Sequence, residues 1–81
     1  MSLRLPVISG LELIKLLDKT GLHAVRQSGS HVFLKGFFKN ELRMFPVPLH
    51  RELAIGTLNE IIKQSGLTKE EFLKLHKKGK L

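Results

Sequence analysis

The chain contains no cysteine, which excludes a disulfide framework, a thiolate zinc site and a cysteine nucleophile. That absence fits a reducing cytosol, and a cytoplasmic protein is the expectation. No apolar run in the sequence approaches the roughly 20 residues that a membrane helix needs. The stretch from Met1 to Gly10 holds no hydrophobic core long enough for a secretory signal. Neither a phosphate-binding glycine loop nor a dinucleotide fingerprint is present, so nucleotide-cofactor chemistry has no support. Carboxylates are few and scattered, and the adjacent pair Glu70-Glu71 falls in the first turn of an expected helix, where acidic residues favour the macrodipole. A two-metal nuclease needs clustered carboxylates, and this chain does not offer them.

What the sequence has in excess is positive charge. Among 81 residues, 14 Lys and Arg stand against 7 Asp and Glu, a formal net charge of +7. Such an imbalance concentrates polyanions near the surface without specifying a fold. Nucleic acid, an acidic protein and an anionic membrane all remain compatible with it, and so does a merely solubilising surface. The length allows one domain, residues 1–81, with a thin core and little room for a large cofactor. Residues 1–4 read as a leader and 77–81 as a frayed basic tail.

Ser9-Gly10-Leu11-Glu12 spells a capping box, and Leu13, Leu16 and Leu17 then recur at helical spacing, with Glu12, Lys15 and Lys19 opposite. Gly21 supplies the stop, which predicts a helix over Gly10 to Lys19. Leu22 to Gln27 is a short mixed run, bounded by a Ser28-Gly29 turn signal. His31 to Lys35 is rich in strand formers. Gly36 to Asn40 reads as a connection, and Glu41 to Phe45 as a third strand ended by Pro46 and Pro48. Three strands with short connections make an antiparallel meander. Leu58, Ile61 and Ile62 repeat the helical spacing before Gly66, and Thr68-Lys69-Glu70-Glu71 is a second capping box opening a short helix through Phe72 and Leu75. The expected fold is α+β: α-β-β-β-α plus a short C-terminal helix, with the helices on one face of a three-stranded antiparallel sheet.

Chemistry has to come from four histidines, His23, His31, His50 and His76. None forms an i, i+4 metal pair, and a three-histidine zinc site assembled only in space is disfavoured for want of cysteine or paired carboxylate ligands. His31 stands out because it follows Gly29-Ser30 at a strand start, accessible yet fixed by the sheet. A free imidazole titrates near neutrality and can pass a proton. Metal-free RNA cleavage needs a 2′-hydroxyl deprotonated, phosphorane charge stabilised and the leaving oxygen protonated. Arg26, Lys35 and Arg43 are cations within the strand region that suit the phosphate. The competing reading of His31 is a strand-start histidine bonded to backbone. Phe37 and Phe38 fit base stacking, although a flap over the core edge or a protein interface is preferred. His50 fits a second acid-base group or, preferably, a loop cap.

Leu5-Pro6-Val7-Ile8-Ser9-Gly10 followed by Leu13-Ile14-Lys15-Leu16-Leu17 resembles the opening of HicA-type toxins. Gly21-Leu22 and Val25-Arg26-Gln27-Ser28-Gly29-Ser30-His31 are similar to that family's core signature. Val47-Pro48-Leu49-His50, Gly56-Thr57-Leu58 and Glu70-Glu71-Phe72 resemble its C-terminal half. The resemblance implies a double-stranded-RNA-binding-like fold and ribonuclease activity that cuts mRNA and so blocks translation, without a cofactor. It implies that His31 is catalytic and that a HicB-type antitoxin neutralises the protein; Arg26, Gln27, Ser28, Gly29 and Ser30, with Lys35 and Arg43, are the residues expected to hold RNA. The alternative is a non-catalytic double-stranded-RNA-binding module. Many relatives carry a second histidine after the first, where this chain has Val32.

Overall fold

The computed structural model describes residues 4–79, so part of the leader, Met1 to Leu3, and the last two residues of the basic tail lie outside the described residues. The elements follow the order α1 (Gly10–Asp18), β1 (His23–Ser28), β2 (His31–Phe38), β3 (Glu41–Pro48), α2 (Ile55–Ser65) and α3 (Lys69–Lys78). The strands form one antiparallel sheet in the order β1-β2-β3. This is the expected α+β arrangement.

Both capping boxes form. The Ser9 hydroxyl accepts from the Glu12 amide at 3.0 Å while the Glu12 carboxylate accepts from the Ser9 amide at 3.1 Å, and Thr68 and Glu71 repeat the exchange at the start of α3. At the other end of α1 the Leu22 amide donates to Leu17 O and the Gly21 amide to Asp18 O, with Gly21 at φ +93°. Those two bonds with a left-handed glycine make a Schellman stop.

Burial alternates along β2: Val32 and Leu34 are buried, whereas His31, Lys35 and Phe37 are exposed. One face of the sheet therefore carries the core, together with Phe45 and Val47 of β3. Leu13, Leu16 and Leu17 of α1, Leu58, Ile61 and Ile62 of α2, and Phe72 of α3 cover it. The other face, including Phe37, Leu42 and Met44, is left open.

Three boundaries depart from the sequence reading. Strand β2 runs on to Phe38, because Lys39 (φ 53°) and Asn40 (φ 63°) alone make the turn between Phe38 and Glu41. Two consecutive left-handed residues give the tight hairpin that suits strand twist, and the apolar Phe37 and Phe38 are strand residues, not a connection. Phe38 packs against the core while Phe37 points to solvent, 69% exposed. Strand β3 continues through both prolines to Pro48. It is an edge strand, and the Leu49 amide donates to Ser30 O at 2.7 Å. Odd-numbered amides therefore face β2, and the even-numbered prolines turn their missing N–H outward, where it costs no ladder bond. Helix α3 includes Lys77 and Lys78, placed in its last turn in place of a frayed tail.

Lys39 also reaches Glu71 at 2.5 Å, tying the β2–β3 turn to α3. That bond, then the Thr68 amide, hold the Glu71 carboxyl below its ordinary pKa of 4.5. A depressed acid contributes stability that is present above its unfolded value and lost as pH falls through its folded one. The chemical-denaturation midpoint of the parent should therefore exceed that of Glu71→Gln at neutral pH, with the gap closing on acidification below pH 4.5. A gap unchanged across that range would show that the carboxylate charge contributes nothing.

Candidate active site

The hairpin joining β1 to β2 presents His31. Ser28 and His31 are paired, and between them Gly29 takes φ +59° at the first turn position, a conformation open to glycine at little cost. The Gln27 side-chain amide donates to Gly29 O at 3.1 Å and braces the turn. Ser30 O accepts the Leu49 amide, which joins this turn to the end of β3. His31 is thus fixed by two neighbouring strands while its own side chain remains exposed.

His31 lines a groove of about 510 Å³ between the β3 edge and α2. Pro46 and Pro48 line its strand side, and Thr57, Glu60, Ile61 and Gln64 its helix side. His50 lines it too. The reason lies in the length of β3. His31 pairs with Pro48 and the Leu49 amide still donates to Ser30 O, so His50, two residues past the end of β3, comes to line the same groove. The His50 carbonyl is held in turn by the Gly10 amide, 2.9 Å away, at the start of α1. Arg51, exposed and sharing an adjoining surface hollow with His50, brings a cation to the same corner.

The structure sorts the remaining candidates by distance. Arg26 is a diagonal neighbour of His31, across from Phe33, and its guanidinium lies 4.7 Å over the Phe33 ring. Lys35 is on the same open face but four residues along β2, roughly 13 Å from His31. Arg43 is not brought to the site. It pairs with Gly36, turns toward α2 with its side chain only 14% exposed, and its guanidinium donates to Phe38 O at 3.0 Å and Gln64 O at 3.4 Å and pairs with Glu41. Its donors tie the β2–β3 hairpin to the end of α2, where a cation also favours the helix dipole. His23 bonds Asp18 at the end of α1, and His76 stacks on Phe72 within α3. Among the described residues no three His, Asp or Glu side chains gather as metal ligands.

Sequence reasoning did not foresee that His50, Glu60 and Gln64 share a groove with His31, or that Arg51 adjoins it. His50 does lie in a loop, as expected, but that loop starts only after Pro48. The signal was available in Pro46-Val47-Pro48: alternate prolines flanking a valine are what an outer edge strand tolerates.

Fold and site together define a class: a small basic αβββα domain of the double-stranded-RNA-binding-like kind, with an exposed histidine beside a groove. The family model described as HicA toxin of bacterial toxin-antitoxin matches residues 10–67. The chain belongs to the HicA toxin family, and a toxin of that family has an antitoxin as its partner. The match spans α1 to the residue after Gly66, so α3 lies beyond it. No curated protein and no solved structure matches the chain.

Proposed function

We propose that this toxin is a metal-independent endoribonuclease that cuts mRNA and so stops translation, with His31 as its acid-base group. The observation that carries the reading is the position of His31: solvent-reachable, held by two strands, and lining one groove with a second imidazole. Two proton transfers accompany the cleavage. One group takes the proton from the 2′-hydroxyl as its oxygen attacks phosphorus; the other gives a proton to the departing 5′-oxygen as the P–O bond breaks. In this reading His31 and His50 share those tasks. Arg26 and Arg51 flank them and hold the phosphate, while the backbone amides of the Gly29-Ser30 turn bring donors close to it. Lys35 contacts RNA further along the open face. A HicB-type antitoxin is the partner that silences the activity, in the cytoplasm.

Incubating the purified chain with labelled RNA in EDTA tests the proposal. Fragments are expected. A mobility shift without fragments would favour the non-catalytic binding module instead. Phosphate contacts release counterions, so binding should weaken steeply with salt. His50→Ala is expected to slow cleavage by about 10²-fold, the lower range for one lost proton-transfer group; a single-turnover rate equal to the parent's would remove His50 from the chemistry.

A further inference from the structure

We propose that the groove between β3 and α2 is a nucleobase pocket that selects guanine in a nucleotide flanking the bond cut, an inference that rests on His31 being the RNA-cleaving group. Its lining decides the ligand class. No lysine or arginine lines the groove, which carries Glu60 instead, so beyond the two imidazoles at its mouth no fixed cation favours a phosphate. Pro46 offers an exposed, rigid apolar surface on the strand side, with the largely buried Pro48 beside it and the largely buried Ile61 on the helix side. Such walls suit a flat heterocycle, and a few convergent polar groups fix its orientation.

Those polar groups come from one side of α2. Thr57, Glu60 and Gln64 stand at i, i+3 and i+7 and all line the groove. Glu60 is exposed, and its carboxylate has no hydrogen bond or ion pair among the described residues. A free carboxylate accepts from two N–H donors side by side. Guanine alone among the four RNA bases offers that, through N1–H and the exocyclic N2 amine. Adenine and cytosine set one amino group beside an acceptor nitrogen, and uracil flanks its single N–H with two carbonyls, which a carboxylate repels. The Gln64 amide supplies a donor of the kind guanine O6 accepts. Single-stranded RNA with splayed bases is read on these edges. His31 and His50 line the same groove, so a base seated there belongs to a nucleotide beside the reacting phosphate.

The test has two arms. In the first, cuts made by the parent chain and by Glu60→Gln are mapped on one RNA of mixed sequence. Bonds flanking guanosine should be cut about ten- to a hundredfold faster than the rest by the parent, the discrimination of one bidentate contact, and the ratio should fall toward one in Glu60→Gln. Equal use of all bonds by the parent overturns the inference. So does a Glu60→Gln variant that is slower everywhere with its preference intact, since the carboxylate would then be orienting a histidine. The second arm needs no cleavage. Amide shifts of Thr57, Glu60 and Gln64 in His31→Ala are followed with guanosine, adenosine, cytidine and uridine monophosphates. Preference for the guanine nucleotide, lost in the Glu60→Gln double variant, supports the pocket. Equal or absent response to all four overturns it. A parent chain that leaves RNA whole while still preferring the guanine nucleotide defeats the cleavage reading and leaves the pocket standing.

Discussion

Replacing His31 with alanine lowers the single-turnover rate of RNA cleavage by about 10²–10⁴-fold, the range for removing a positioned acid-base group. The fold should not change with it. His31 is exposed, lies outside the core cluster, and its backbone pairing with Ser28 and Pro48 does not depend on the side chain. Surface changes of this kind usually stay within about 0.5 kcal/mol. The measurement pairs the cleavage rate with thermal unfolding of the same sample. A large rate loss at unchanged melting temperature places the imidazole in the chemistry, whereas equal rates for parent and variant remove it. Loss of fold would instead make His31 a structural residue, against its exposure.

Gly10→Ala carries the second large effect, on stability and on the site at once. A Cβ at Gly10 would sit 2.0 Å from Pro48 O and 3.0 Å from its carbonyl carbon. Backbone, not a yielding side chain, stands in the way. The Gly10 amide also donates to His50 O, so the start of α1 is pressed flat against the segment that carries His50. Relief requires α1 and the Pro48–His50 segment to part. Overpacking of this sort costs about 1–3 kcal/mol, occasionally more, a large share of the 5–15 kcal/mol typical of a whole domain. Denaturant unfolding should show a lowered midpoint, and the surviving folded fraction should cleave RNA more slowly because His50 has moved. An unchanged midpoint would mean that the two segments are not in close contact in solution. Gly36, whose added Cβ would meet Gly21 O at 2.1 Å, is the same kind of contact between β2 and the end of α1.

Helices were legible because their signals are local. Ser9 with Glu12, Thr68 with Glu71, and the glycines at 21 and 66 mark ends within a few residues, and leucine spacing marks the buried side. The strands were legible in number and direction but not in length. Lys39 is an unusual residue at a left-handed turn position, so the sequence around it resembles a longer loop. Pro46 and Pro48 stop a central strand but not an edge strand, and which strand lies at an edge is a property of the whole sheet. That one error hid half the site. With β3 reaching Pro48, His50 sits just past the strand end and lines the same groove as His31, against α2. Arg43 shows the opposite failure: its charge read as a phosphate contact, yet pleat parity turns it toward main-chain carbonyls at the end of α2. Charge is visible in sequence; the face it lands on is set by register.

The central claim is that imidazoles, and no metal, drive attack by the RNA's own 2′-hydroxyl. The most direct measurement offers the parent chain two labelled oligoribonucleotides in EDTA, identical except for a single 2′-deoxy substitution at the preferred cut. Cleavage of the first, leaving 2′,3′-cyclic phosphate and 5′-hydroxyl ends, with the second left whole at that position, is the predicted result. Cutting at the deoxy position, or loss of all cleavage in EDTA with recovery on adding a divalent cation, would contradict it.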